Sequence, residues 1–434
     1  MAPDEAPSSG DLLSTGPSPR RDGPMRLWAR PSTPSAVSSV YVHAPFCARR
    51  CLYCDFAVTV VREVNLGGWL AALARELEIL AAEGSFPLAP SLATLFVGGG
   101  TPSFLGPGAM DGLAGVLGRE RLKGEELEWT AEANPESFTG GVARGWRRAG
   151  VNRVSLGAQS FDPRVLGWMG RLHRPLDVER AVMLGRAQGF GNLSLDLMFG
   201  LPPSLARDWV FDLDRALVLG VPHLSLYGLT AETGTPLGRA VGAGKLVMPS
   251  EEAYREEFLE ASRRLVAEGY VHYEVSNFAL PGFEARHNLV YWAQGAYLGL
   301  GNSAHSHRHP FRRWNLKDWA AYQSEVSAGR APWAAGERLG EREILLERIW
   351  LGLRTGAGIS LEDLGAEARG LARQWVLDGL ARGGVDALAL EPEGWLILDH
   401  LVLALDAAVE KDGPGGGRAP ANPGAEPSAT GPMG

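Results

Sequence analysis

From Ser38 to Glu268 the chain alternates short apolar runs with amphipathic stretches, and this alternation constrains the fold more than any other feature. The runs 39–44, 92–97, 127–131, 153–156, 193–198 and 223–227 read as strands. Between the first two, Leu66, Leu70, Leu73, Leu77 and Leu80 recur at intervals of four and three, which predicts a helix with one apolar face. Helices are expected again over 107–118, 140–149, 176–188, 206–219 and 251–268, giving six strand–helix units. Strands linked by helices pair in parallel through right-handed crossovers, so the expected class is α/β with a parallel sheet, open or closed into a barrel.

The unusual residues fall at one end of this pattern. A cysteine loop follows the first strand, Gly98-Gly99-Gly100-Thr101-Pro102 the second, Glu132 ends the third, Gln159 follows the fourth, and Asp196 lies in the fifth. Loops at the C-terminal ends of parallel strands are where such folds build active sites. Each residue taken alone also suits a loop cap; together they mark one site. The glycine triplet has neither the Gly-Lys-Ser/Thr ending of a P-loop nor the G-x-G-x-x-G spacing. It leaves backbone uncovered, so a small polar ligand can approach closely.

All three cysteines of the 434-residue chain sit in that first loop, as Cys47, Cys51 and Cys54 in a C-x3-C-x2-C pattern. Three thiolates can hold three corners of a [4Fe-4S] cluster and leave the fourth iron open, whereas electron-transfer clusters take four cysteines. A zinc site of three cysteines plus His43 is one alternative, although a second ligand knuckle is missing. Buried, reduced cysteines without a ligand are the other. An odd number at such short spacing disfavours disulfides and suits a reducing cytoplasm.

At this point the residues resemble a known family. Tyr41-Val-His-Ala-Pro-Phe before Cys47 is similar to the radical S-adenosylmethionine (radical SAM) superfamily, as are Glu132-Ala-Asn-Pro-Glu, Ser155-Leu-Gly-Ala-Gln-Ser-Phe, Gly170-Arg-Leu-His and Asp196-Leu-Met-Phe-Gly-Leu-Pro. The resemblance covers 40–409 and points to the branch of oxygen-independent coproporphyrinogen III oxidases and HemW heme chaperones. It implies a partial (β/α)6 barrel over 37–232, an α/β extension over 233–335, and a small winged-helix-like C-terminal domain of the HemN type over 336–410. It also implies that S-adenosyl-L-methionine chelates the open iron and is cleaved to a 5′-deoxyadenosyl radical. By position in the motifs, Tyr41, Gly99, Gly100, Thr101, Glu132, Gln159, Arg171 and Asp196 would contact it, with Tyr53 packing on the adenine. Arg171 suits a carboxylate as a two-pronged donor; alone it would read as a surface ion pair.

Two functions remain within the branch. One is oxidative decarboxylation of coproporphyrinogen III in porphyrin biosynthesis. The other is binding heme and delivering it to a client hemoprotein, such as one of the respiratory chain. The oxidases resemble C-x3-C-x2-C-x-C, and here the last position is Phe56. His287-Asn-Leu-Val-Tyr291-Trp292 matches an H-N-x-x-Y-W pattern of the chaperones, with His287 as the candidate heme ligand and two flat rings for a porphyrin. The structural alternative is a hydrogen-bonded histidine beside a packed Tyr–Trp pair, and His305, His307 and His309 compete for the same role. Ser303 departs from the family's glycine-richer pattern before His305. These features favour the chaperone, with flavodoxin or ferredoxin as the kind of electron donor.

The rest bounds the setting. A net charge of −8 argues against a nucleic-acid surface, and the last domain shows no basic cluster. No apolar run is long enough to cross a membrane, and the expected location is the cytoplasm. Residues 1–36, rich in Pro, Ser, Ala and Gly, are expected to be a disordered leader within which Met25 is a second candidate start; 411–434 are expected to be a disordered tail. A break introducing the last domain is expected near 334–336, and a short hairpin of 387–390 with 395–398 within that domain. Trp314, Trp319 and Trp333 read as packing residues.

Overall fold

Alternate residues of a strand face opposite sides of a sheet, and here the two sides differ in kind. The computed structural model describes residues 24–27, 36–384 and 387–412. Six parallel strands, β1 (Ser39–Ala44), β2 (Thr94–Gly99), β3 (Glu128–Ala133), β4 (Arg153–Gln159), β5 (Asn192–Phe199) and β6 (His223–Gly228), lie side by side in chain order. Val40, Val42, Leu95, Val97, Trp129, Ala131, Val154, Leu156, Leu195 and Leu197 are buried in the main apolar core. The intervening positions are mostly polar: Tyr41, His43, Thr94, Thr130, Glu132, Arg153, Ser155 and Asp196. A buried polar face requires partners. Ser155 Oγ donates to Asp196 (2.9 Å), and His223 is held by Ser194 (2.7 Å) and Tyr273 (2.8 Å).

The extension expected after the barrel belongs to the same sheet. The hairpin of β7 (Val271–Glu274) and β8 (Asn277–Ala279) adds antiparallel to β6, and β9 (Leu298–Leu300) adds parallel to β1. The hydrogen-bonded order is β9-β1-β2-β3-β4-β5-β6-β8-β7. A three-stranded antiparallel sheet follows, made of His305–Arg308, Phe311–Asn315 and Trp333–Arg338. Its last strand runs through 334–336, where the sequence suggested a break. The helix Trp319–Ser327 packs Tyr322 and Val326 against Ala72 and Ile79 of helix Leu66–Glu83.

The C-terminal part combines helices Glu341–Leu353, Ala366–Leu377 and Leu398–Asp412 with a sheet of Ile359–Ser360, Ala387–Leu390 and Ala381–Gly383. The expected strand at 395–398 is helical instead. Pro392 opens a short helix, Pro392–Leu396, and Trp395 turns inward with its indole N–H on Leu353 O (2.8 Å). The leader also departs from expectation where it is described. Met25 bridges Ile359, Leu27 is buried, and the Leu27 N–H donates to Asp363 (2.7 Å). At the other end Lys411 and Asp412 close the last helix, and Asp412 caps helix Ala366–Leu377 through the Glu367 and Ala368 N–H groups. The remaining leader and tail positions lie outside the described residues.

Candidate functional site: a thiol-lined cleft at the strand ends

The cysteine loop is shaped by hydrogen bonds that do not involve its thiols. Phe46–Cys47 pairs with Thr59–Val60, the Thr59 N–H donating to Pro45 O (2.7 Å) and that of Val61 to Cys47 O (3.1 Å). The glycine triplet zips onto the stem: Gly100 N–H reaches Ala44 O (2.8 Å) and Thr101 N–H reaches Phe46 O (2.9 Å). Further anchors come from elsewhere in the chain, namely Leu237 N–H on Leu52 O (3.0 Å) and Lys317 Nζ on Asp55 O (3.3 Å). The triplet thus packs against the stem of the loop as well as lining the cleft. A side chain at Gly100 would sit 2.7–2.8 Å from backbone atoms of Ala44, Pro45 and Phe46, and one at Gly99 would strike the His43 ring. Gly99 also has φ +108°, outside the range of ordinary side chains.

Cys47, Cys51 and Cys54 are free and line one cleft of about 370 Å³, within the usual size for a small-ligand site. Of the residues assigned to S-adenosylmethionine, all but Tyr41 line the same cleft. Tyr41 lies behind it, bonded through its hydroxyl to His43 Nδ1 (3.1 Å) and stacked on Phe96. His43 Nε2 in turn donates to Ala57 O (3.0 Å). With both ring nitrogens occupied, His43 does not complete a zinc site. No three His, Cys, Asp or Glu side chains among the described residues close tightly enough to hold a single ion. Three thiols lining one cleft are a donor set that would hold a [4Fe-4S] cluster by three of its irons.

Arg171 is the hinge of the polar wall. Its Nη2 donates to Asn134 Oδ1 (2.7 Å) and Gly157 O (2.8 Å), and Nη1 lies 3.8 Å from Cys51 Sγ. Its Nε is buried with no hydrogen-bond partner among the described residues. Asn134 Nδ2 continues to Thr101 Oγ1 (3.3 Å), which lies 3.4 Å from Cys47 Sγ. Opposite, Glu132 accepts the Gly99 N–H (3.0 Å). Burial, then the nearby Asp196 carboxyl, push Glu132 up to about 7; burial also raises Asp196, against hydrogen bonds from Ser155 and Ser225. Two carboxyls that repel each other in a buried wall favour a cationic or hydroxyl-rich ligand between them. Gln159 stands at a bulge in β4 with φ +65°, a strained backbone of the kind held at binding sites. Asn134 and Ser155 stand in the motifs without an assigned role, yet they hydrogen-bond Arg171 and Asp196. Glu76, Asn315 and Tyr322, which brace the loop after β9 behind the cysteines, carried no sequence signal at all.

His287 is elsewhere. It lies in helix Arg286–Trp292, whose first N–H groups, from Arg286 and His287, donate to the Glu128 carboxylate at the start of β3 (3.0 Å each). Its ring bonds Thr94 Oγ1 (2.7 Å) and Tyr291 OH (2.9 Å), stacks on Phe96, and is 1% exposed. Burial pushes it down to about 3, so it stays neutral. Neither nitrogen is open to an iron in this arrangement, which matches the structural alternative. Thr94 and Glu128 begin their strands, so this motif locks the foot of the sheet while the thiols sit at its opposite end.

A family model described as "Radical SAM superfamily" matches residues 41–215. A heme chaperone HemW of Mycobacterium tuberculosis (strain H37Rv) is 38% identical over 392 residues, covering 89% of this chain and 99% of that one. The heme chaperone HemW of Bacillus subtilis is 33% identical over 371 residues, covering 83% and 97%. The solved structure of the coproporphyrinogen III oxidase HemN of Escherichia coli superposes with a TM-score of 0.70 at 22% identity, covering 86% of this chain and 91% of that one. That likeness shows the fold: a parallel-stranded α/β radical SAM architecture. No described helix is long and apolar enough to cross a membrane. With relatives matched over nearly their whole length and the thiols, glycines and acids gathered in one cleft, the chain belongs to the HemW family of the radical SAM superfamily.

Proposed function

We propose that this protein binds heme in the cytoplasm and delivers it to client hemoproteins, while holding a [4Fe-4S] cluster on Cys47, Cys51 and Cys54 and S-adenosylmethionine in the adjoining cleft. The observation that carries the reading is the full-length likeness to proteins named as heme chaperones. Phe56 supports it locally: it is 60% exposed beside the cysteine loop and offers carbon where the oxidase motif has a thiol. The cluster, when bound, supplies an electron to the sulfonium ligand, with flavodoxin or ferredoxin as the donor class.

The chain's own part is positioning. Arg171, fixed by Asn134 and the Gly157 carbonyl, lines the cleft beside Cys51 and offers its guanidinium as a donor for a carboxylate. Glu132 and Asp196 accept from ammonium or ribose hydroxyl groups, and Tyr53 offers a ring beside Cys51. The Gly99–Thr101 backbone holds the cysteine loop at a fixed distance from that wall. The test is anaerobic reconstitution followed by parallel assays of hemin binding and coproporphyrinogen III decarboxylation. Heme retention without decarboxylation is the expected result; steady protoporphyrinogen formation would transfer the protein to the oxidase class. One zinc and no sulfide after reconstitution would remove the cluster assignment.

A further inference from the structure

A sulfur that ligates a cluster is tuned by whatever donates a hydrogen bond to it, and the donors at the cysteine loop form an ordered chain. Thr101 follows the glycine triplet and is 5% exposed. It stands at the start of the short helical turn Pro102–Leu105, where a threonine side chain commonly accepts a main-chain N–H; this one does not. Its Oγ1 turns instead toward Cys47, 3.4 Å from the sulfur, and toward Asn134 Nδ2 at 3.3 Å. Its main-chain N–H donates to Phe46 O, one residue before Cys47 (2.9 Å). Backbone and side chain of Thr101 thus address the same point of the loop.

The direction of the chain is fixed from its far end. A guanidinium has only hydrogens to offer, so Asn134 turns its Oδ1 to Arg171 Nη2, 2.7 Å away. The Asn134 amide nitrogen is left for Thr101 Oγ1, which accepts from it and keeps its own hydrogen. A thiolate carries no hydrogen and can only accept, so the hydroxyl hydrogen goes to Cys47 Sγ. Asn134 is held in line by its main chain: its N–H donates to Ser103 Oγ (3.1 Å), and its carbonyl accepts from the Ser137 and Phe138 N–H groups (3.0 Å each). Arg171 therefore reaches two sulfurs, Cys51 directly at 3.8 Å and Cys47 through Asn134 and Thr101. The third, that of Cys54, has the main-chain N–H of Phe56 as its donor.

Resting on the cluster assignment above, we propose that Thr101 is a positioning residue of the cluster: its hydroxyl, aimed by Asn134 and Arg171, donates to the Cys47 sulfur and makes the cluster easier to reduce. This duty is separate from the ligand contact that the motif resemblance implies for Thr101. Reduction adds one negative charge, shared by the sulfurs, and a donor on a sulfur stabilises the more negative form. Aligned bonds in a buried place also polarise one another, so the guanidinium charge is felt at Cys47 through its two intermediaries. The step is the gain of one electron from a reductant such as dithionite; no proton moves, and no bond forms or breaks.

The experiment is a redox titration with dithionite, followed by electron paramagnetic resonance in the absence of S-adenosylmethionine. It compares anaerobically reconstituted full-length wild type, Thr101→Val, Thr101→Ser and Asn134→Ala, each normalised to its iron and sulfide content. Thr101→Val keeps the side-chain shape and removes the hydroxyl. It should make reduction about tenfold less favourable, a midpoint about 59 mV more negative for one electron. Thr101→Ser should restore the wild-type midpoint, and Asn134→Ala, which leaves the hydroxyl unaimed, should fall between the two. A purely structural role for Thr101 would not produce that order. A wild-type midpoint in Thr101→Val overturns the proposal, as does a Thr101→Ser midpoint shifted as far as that of Thr101→Val. If Thr101→Val loads no cluster, Asn134→Ala decides: a more negative midpoint supports the proposal and an unchanged one overturns it. A wild type that assembles no cluster would remove the cluster reading itself, and this inference with it.

Discussion

The N–H of Gly100 donates to the carbonyl of Ala44 across 2.8 Å, and that approach fixes the end of β2 against the stem of the cysteine loop. No side chain fits between them. Gly100→Ala would place a methyl group 2.7–2.8 Å from three backbone atoms, so the loop must move. The expected result is a loss of about 1–3 kcal/mol of stability together with lower iron and sulfide content after reconstitution. Gly108→Ala is the control, since nothing lies within 4 Å of its added carbon. Calorimetry and iron analysis of the two variants check this; full cluster loading by Gly100→Ala would refute it.

Glu76 makes stability depend on pH. It is fully buried, and burial lifts it from 4.5 to about 7 against three opposing hydrogen bonds, from Tyr322, Gly301 and Asn315. Below pH 4.5 the group is protonated in both states and contributes no slope. Between 4.5 and 7 the unfolded chain releases its proton first, so the folded state loses stability as pH rises, by up to about 1.4 kcal/mol per unit. Above 7 the loss is complete. Denaturation midpoints of wild type and Glu76→Gln across this range should converge at low pH and separate toward neutrality. Parallel curves would show that Glu76 titrates normally.

His287→Ala tests the foot of the sheet. Removing the ring leaves Thr94 Oγ1 and Tyr291 OH without their partner in a buried place, and opens a cavity against Phe96. A destabilisation of about 2–4 kcal/mol is expected, read as a shift in urea midpoint. A variant as stable as wild type would mean that the motif is not a structural lock.

Arg171 and Asn134 should act as one unit. Asn134→Ala frees the Arg171 fork on one side, and Arg171→Lys replaces a planar donor by a point charge. Each is expected to weaken S-adenosylmethionine binding to the reconstituted protein, and the double variant to lose less than the sum. Equilibrium dialysis with the labelled ligand gives the cycle; strict additivity would separate the two residues.

The sheet was legible from period and strand-end chemistry because six apolar runs with helical spacers leave few alternatives. The cleft was legible because its residues end successive strands. What stayed hidden depended on contacts far apart in the chain. Glu76 is an unremarkable letter on a helix surface until Gly301, Asn315 and Tyr322 converge on it from 225 to 246 residues away. His287 carried a chemical signal, but its partners Thr94 and Phe96 lie far away in the chain. Trp395 read as strand because β-propensity and burial look alike in a short run; the proline three residues earlier and the Leu353 carbonyl decided for helix.

The cysteine loop is held at Pro45, Ala44, Phe46, Leu52 and Asp55 by main-chain and lysine hydrogen bonds, in addition to the thiol contacts with Thr101 and Arg171. A zinc finger takes its fold from its metal–thiolate bonds; here main-chain hydrogen bonds to the neighbouring segments set the path of the loop. Limited proteolysis of apoprotein and reconstituted protein should accordingly give the same fragments at similar rates.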